Sequence, residues 1–185
     1  MDAMIISGSR NPEGQTARAV NAVRVGIENA GKQCKTVFLP TLAIQRCRQC
    51  DNDGWGLCRR AGRCLIDDDF AGLADELRKA EAVVFATPVY YSDLSESLRA
   101  FLDRLRRTCF NEAGRPGIHS KQAMGICVAG GGGGGAPACC VSLEKILTTS
   151  GFNVVDMLPV RRQNLEAKLT VLEQTGTVLA TPIHS

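Results

Sequence analysis

Long apolar runs are missing from this 185-residue chain. No stretch approaches the roughly 20 apolar residues that a membrane-spanning helix needs. The opening "MDAMIISGSR" has neither the basic head nor the apolar run of a secretory signal. The expectation is a cytoplasmic protein with no membrane partner. A concentrated charge is missing as well. The net charge of +3 comes from Lys and Arg spread along the chain. Nucleic acid, which needs a basic patch or stripe, is not an expected partner. The one tight basic group, "RLRR" at 104–107, closes a helical pattern and reads as a solvated helix end. Histidine is scarce: His119 and His184 stand alone, so no acid–base pair is visible. Aromatics are few, nine in all, yet two of them, Tyr90 and Tyr91, are adjacent.

Cysteine, in contrast, is plentiful. Nine thiols, an odd number, in a reducing compartment argue against a disulfide framework. Cys34, Cys109, Cys127, Cys139 and Cys140 fall in helix or strand patterns and read as small buried hydrophobes. The other four, Cys47, Cys50, Cys58 and Cys64, gather in "CRQCDNDGWGLCRRAGRC" with spacing C-x2-C-x7-C-x5-C.

The rest of the chain alternates. Short apolar runs at 3–7, 34–39, 82–88, 123–130 and 152–160 suit buried strands. Helical periodicity follows each, at 15–31, 67–81, 92–107, 136–151 and 164–176. Val20, Val23 and Ile27 share one helical face, and Gly31 is a stop signal. Asp67 to Asp69 read as helix caps. Strands that are apolar runs without alternation belong in a sheet covered on both faces, so the fold class is doubly wound, parallel α/β. One domain spans 1–185, with a cysteine-rich loop at 47–66 between the second strand and the second helix.

In such folds ligands bind outside the carboxyl ends of the strands. After the first strand, "SGSRNPEGQT" (7–16) offers Ser7, Ser9, Gln15 and Thr16 as hydrogen-bonding groups, Gly8 and Gly14 for close approach, and Arg10 as a cation. It lacks the signatures of a Walker A loop and of a dinucleotide fingerprint. It reads either as a phosphate cradle or as a polar turn capped by Gln15 or Thr16. After the third strand, Pro88, Val89, Tyr90 and Tyr91 offer backbone groups and flat apolar surface. The bland alternative is that they pack the loop. After the fourth, six glycines (130–135) let a ligand lie against the main chain. Phosphate, planar ring and close backbone approach together fit FMN.

These residues carry a resemblance. "GSRNPEGQT", "TPVYYSDLSESLRAFLDR" and the glycine-rich strand end resemble the flavodoxin-like NADPH-dependent FMN reductase family over nearly the whole chain. The resemblance implies a flavodoxin-like three-layer fold with a five-stranded parallel sheet in order 2-1-3-4-5. It implies non-covalent FMN, with Ser9, Arg10, Gln15 and Thr16 on the phosphate. Pro88, Val89, Tyr90 and Tyr91 would line the ring, with Gly130 and Gly131 along its other edge. NAD(P)H would be the co-substrate and a quinone, nitro compound, metal ion or flavin the small acceptor. A homodimer or homotetramer is implied too. The alternative is a non-enzymatic electron carrier fed by a protein donor. Since the chemistry belongs to the flavin, no catalytic side chain is expected, and the N–H groups of Val89 to Tyr91 are expected to face the ring.

One branch of that family, the iron–sulfur flavoproteins, carries a compact cysteine motif at the same place, roughly C-x2-C-x2-C with a fourth cysteine beyond. Here seven residues separate Cys50 from Cys58 where that branch has two. Cys47, Cys50, Cys58 and Cys64 could ligate an iron–sulfur cluster, bind zinc, or hold no metal. Trp55, inside the segment, either covers the cluster or flavin or packs the loop.

Overall fold

The computed structural model describes residues 3–109 and 117–181; His184 lies outside them. Five strands form one parallel sheet in the order β2-β1-β3-β4-β5. They are β1 (Ala3–Ser7), β2 (Cys34–Phe38), β3 (Ala82–Pro88), β4 (Gln122–Ala129) and β5 (Asn153–Arg161). Helices α1 (Gln15–Asn29), α3 (Phe70–Lys79), α4 (Glu96–Cys109), α5 (Ala136–Thr149) and α6 (Leu165–Ala180) cover both faces. A sixth helix, α2 (Leu57–Ala61), sits inside the cysteine segment, where the sequence shows no period.

Side chains on a strand point alternately to its two faces, and that alternation splits the core. Met4, Ile6, Val83 and Phe85 pack with Leu77 of α3, Phe101 of α4 and Leu143 of α5. Ala3, Ile5, Val84 and Met124 pack with Val20, Val23 and Ile27 of α1 and Leu172 of α6. β1 and β3 are buried on both faces, which is why they read as unbroken apolar runs. Gly31 follows α1 with φ +79, the left-handed conformation expected of a helix stop.

Two helical glycines, unremarked in the sequence, set the spacing of α1 and α6. A Cβ on Gly26 would overlap the Glu173 carbonyl, and one on Gly176 would overlap the Val23 carbonyl. Each glycine therefore receives the backbone of the other helix, and Thr177 Oγ1 donates to Gly26 O at 3.1 Å. Gly26→Ala should force the helices apart at a cost of about 1–3 kcal/mol. Chemical denaturation should show a lower midpoint with an unchanged m-value; an unchanged midpoint would count against this packing.

Candidate functional site

The loops after β1, β3 and β4 meet at the carboxyl edge of the sheet. In the first, Gly8 N–H donates to Ala86 O at 2.8 Å, steering the chain along β3. A Cβ on Gly8 would overlap the Ser95 hydroxyl, so glycine allows the β1 and β3 loops to touch. Ser97 Oγ donates to Gly8 O at 3.1 Å and ties them together. The Ser9 hydroxyl accepts from Asn11 N–H and donates to Asn11 O, at 3.3 and 3.1 Å. In this conformation it shapes the loop. Neither Gln15 nor Thr16 caps α1: the N-cap is Gly14, with no side-chain cap bond, and Gln15 and Thr16 begin the helix itself. The first turn carries no acidic residue. Its free N–H groups and dipole therefore favour an anion. Among the described residues Gln15 Oε1 is buried without a partner. Amide oxygen and nitrogen are assigned by context, so either end of this amide is available to a ligand's polar group. Arg10 is exposed, and among the described residues no ion pair engages it.

The second loop is a tight turn. Val89 N–H is taken by Val128 O, and Tyr90 and Asp93 exchange two backbone bonds of 3.0 and 2.9 Å. Of the donors expected at 89–91, only that of Tyr91 is therefore left without an acceptor among the described residues. Tyr91 and Ser92, at the tip, have φ +50 and +65. Two successive non-glycine residues in this region match a type I′ turn and cost of order 1–3 kcal/mol each. Arg99 Nη2 braces the turn on the Asp93 carboxylate at 2.5 and 2.6 Å, and Thr87 Oγ1 accepts from Ser95 N–H at 3.0 Å. The turn delays α4 to Glu96, four residues after the start expected at 92. Tyr90 is 46% exposed and Tyr91 fully so, away from the core as the sequence suggests.

The third loop is open. A Cβ on Gly130, Gly131, Gly132 or Gly134 would meet nothing within 4 Å. Gly135, at φ +80, lies so close to Ser92 that an added Cβ would overlap it. The glycine loop thus closes onto the tyrosine turn. Gln163, after β5, donates through Nε2 to Gly132 O at 3.3 Å. It was not singled out in the sequence, although its place just beyond a strand end was a signal. The orphaned Gln15 amide, the uncapped helix start and the glycine cradle fit the phosphate and flat ring of FMN.

The cysteine segment leaves β2 on the same edge. Cys47, Cys50, Cys58 and Cys64 line one small recess with Leu57 and Ile66. The long gap folds in two steps. Residues 51–54 make a turn, with Gly54 N–H on Asp51 O and φ +76 at Gly54. Helix α2 then returns Cys58 to the recess and ends at Gly62, φ +62. Trp55 packs this loop onto α4: the Arg107 guanidinium lies 4.7 Å from its ring centre, and Arg107 Nη1 donates to Gly54 O at 2.7 Å. All four thiols are free and half-buried. Among the described residues no three His, Cys, Asp or Glu side chains are grouped so as to hold one metal ion. A [4Fe–4S] cluster needs no such single point, because each of its four thiolates would bind a different iron. The four-thiol donor set lining one recess fits that group.

At the end of α4 the expected solvated arginines hold only in part: Arg106 and Arg107 reach solvent, but Arg104 does not. Arg104 is 1% exposed and pairs with Asp68, 3% exposed, at 2.7 Å. It also stacks 4.2 Å over the Phe70 ring. Burial disfavours the Asp68 carboxylate, but hydrogen bonds from Arg104 and from the Gln45 and Phe70 N–H groups outweigh it and lower its pKa. Burial likewise opposes the Arg104 charge, while Asp68 and the neighbouring Cys64 side chain raise its pKa. Of the three aspartates read as caps, Asp69 holds the N-cap position of α3 but makes no side-chain cap bond, its Oδ2 accepting instead from Ala43 N–H at 2.7 Å, and Asp68 binds Arg104. Only Asp68 Oδ1 reaches the start of α3, accepting from Phe70 N–H at 3.1 Å. Among the remaining cysteines, Cys127, Cys139 and Cys140 are buried as expected, and Cys34 and Cys109 only half-buried. Burial, with help from Glu28, pushes the Cys34 thiol up to about 11. No helix among the described residues is long and apolar enough to cross a membrane.

Comparison with known proteins agrees with this geometry. An NAD(P)H:quinone oxidoreductase from Methanothermobacter marburgensis superposes with a TM-score of 0.71 at 20% identity, covering 100% of this chain and 98% of that one. At that identity the likeness shows the flavodoxin-like fold alone. An iron–sulfur flavoprotein of Archaeoglobus fulgidus is 30% identical over 105 residues, 57% of this chain and 46% of that protein. One of Methanosarcina thermophila is 31% identical over 108 residues, 57% of this chain and 54% of that protein. The match thus spans about half the length of these relatives. Residues 1–165 match the family described as NADPH-dependent FMN reductase. With that match over most of its length, the chain belongs to the NADPH-dependent FMN reductase family.

Proposed function

We propose that this chain is an FMN-dependent oxidoreductase that takes electrons from NAD(P)H and passes them to a small acceptor: a quinone, nitro compound, metal ion or flavin. The observation that carries the reading is the meeting of three loops around an open, glycine-lined edge beside two exposed tyrosines. FMN bound there would supply hydride acceptance at N5 and electron release. Arg10, Gln15, Thr16 and the N–H groups of α1 would hold its phosphate. Pro88, Val89, Tyr90 and Tyr91 would border its ring, and Gly130 and Gly131 would let the ring lie against the main chain. Residues 90–93, braced by Arg99 on Asp93 and by the paired Tyr90 and Asp93 backbone bonds, would form that border. Cys47, Cys50, Cys58 and Cys64 would hold an iron–sulfur cluster, supported by their shared recess and by the names of the relatives. α4 links the two sites: Ser97 touches the first loop and Arg104 the recess, about 10 Å apart along the helix axis.

A second reading follows from that recess. With a cluster in place, the chain could act as an electron carrier fed by a protein donor. A homo-oligomer suits Tyr91, whose fully exposed ring a second copy could cover. A cytoplasmic location suits nine free thiols. Anaerobic stopped-flow mixing with NADPH and with NADH should bleach the flavin within the turnover time. Slow bleaching by both, with fast reduction by a ferredoxin-type donor, would select the carrier. Failure of the reconstituted protein to retain FMN would defeat both.

A further inference from the structure

Arg104 has five N–H donors, and its neighbours use four. Nη1 donates to Gln45 O at 3.0 Å and to Asp68 Oδ2 at 2.7 Å. Nη2 donates to Asp68 Oδ1 at 2.9 Å and Ile66 O at 3.4 Å. The fifth donor, Nε–H, is buried and has no acceptor at hydrogen-bond distance among the described residues. Arg104 also lines the recess of the four cysteines, and its guanidinium feels the Cys64 side chain. An unmade buried donor is costly, yet four bonds and the Phe70 ring hold this one in place. Leu57, Leu65 and Ile66 supply no side-chain acceptor to the recess, its arginines only donate, and the Thr108 hydroxyl is turned to Leu105 O at 2.9 Å, so the four cysteine sulfurs are the acceptors closest in chemistry to a partner for Nε–H.

We infer that Arg104 is a positioning residue for the iron–sulfur centre, its Nε–H donating to the Cys64 thiolate or to a cluster sulfide and raising the centre's reduction potential. The inference rests on reading the recess as a cluster site. Its physical basis is the charge that one-electron reduction adds to the sulfurs. A donor to sulfur is bonded more strongly in the reduced state, so it favours reduction. Asp68 balances the guanidinium charge and fixes its plane, leaving Nε–H as the group that distinguishes the two states. Lysine at 104 would keep the charge and lose that donor.

The test is a potentiometric titration of the anaerobically reconstituted protein, followed by the paramagnetic signal of the reduced cluster, with iron and sulfide counted beforehand. Wild type is compared with Arg104→Lys and with the paired change Asp68→Leu/Arg104→Met, which removes both charges together and covers the case in which the lysine variant misfolds. The expected result is a cluster midpoint lowered in both, by about tenfold in the one-electron equilibrium or 59 mV, with iron content and the FMN midpoint unchanged. An unchanged cluster midpoint at wild-type iron content overturns the inference and leaves the cluster reading intact. Loss of iron from folded variants overturns it too, by assigning Arg104 to cluster retention. A wild-type protein that binds no iron or sulfide defeats the cluster reading itself, and does so before any variant is measured.

Discussion

Asp68→Ala should destabilise the chain by about 3–5 kcal/mol, because it strands the Arg104 cation where water cannot reach it. For a domain of this size that corresponds to a fall in Tm of roughly 10 °C. Four observations support so large an effect. Both side chains are almost wholly buried, the pair has two N–H···O contacts at 2.7 and 2.9 Å, the same carboxylate holds Gln45 N–H at 2.9 Å, and Arg104 in turn ties down residues 45 and 66. The loss therefore loosens the whole cysteine segment as well as the start of α3. The paired change Asp68→Leu/Arg104→Met should recover most of the stability, since removing both charges leaves nothing uncompensated. Thermal unfolding of the two variants tests this; a double variant as unstable as Asp68→Ala would show that the pair acts by something other than charge compensation.

The same pair predicts a pH dependence. The Asp68 pKa is lower in the folded state than in the unfolded chain. Between the two values the unfolded state binds more protons, so stability rises with pH across that window. The contribution is complete above the ordinary aspartate value of about 4 and is lost as pH falls through the lowered folded value. Asp68→Asn should lose this part of the acid sensitivity. Parallel acid-denaturation curves for the two proteins would contradict the assignment.

Gly131→Val should weaken FMN binding by roughly 10- to 100-fold while leaving the apo protein's stability nearly unchanged. The separation comes from the structure. A Cβ at 131 meets no atom within 4 Å, so folding does not resist it, and the backbone there is outside the left-handed region that would penalise valine. The space it would fill is the space proposed for the ring. Overlap of one branched side chain with a bound ligand costs about 1–3 kcal/mol, which gives that range of affinity. Flavin fluorescence quenching reads the affinity and calorimetry the stability. Unchanged FMN affinity in a folded Gly131→Val protein would remove the glycine loop from the site.

Much of the fold was legible because it is written locally. Five apolar runs and five helical periods name the elements, and β1 and β3 match their expected limits residue for residue. The three loops that form the candidate site follow from the same order, since strand ends in a parallel sheet share one edge. The tyrosine pair stands exposed there, and four of the six glycines, Gly130, Gly131, Gly132 and Gly134, lie open, while Gly133 and Gly135 pack against Gln163 and Ser92.

What the sequence by itself determined is therefore the α/β class, the sheet edge that carries the candidate site, and the gathering of four thiols after β2. Tertiary structure decided which groups stay free to act there. The Ser9 hydroxyl, a phosphate ligand in the sequence reading, is engaged by Asn11; Gln15 Oε1 is left without a partner among the described residues. Gly26 and Gly176 matter only because two helices 150 residues apart cross at them. "RLRR" looks like a helix end in water, yet Arg104 is covered by a segment about 40 to 60 residues earlier in the chain and paired with an aspartate that reads as a cap. The physical reason is the same in each case. Periodicity and turn chemistry act over a few residues and survive in any context. Burial of a charge or a close backbone approach depends on which distant segment arrives to cover it.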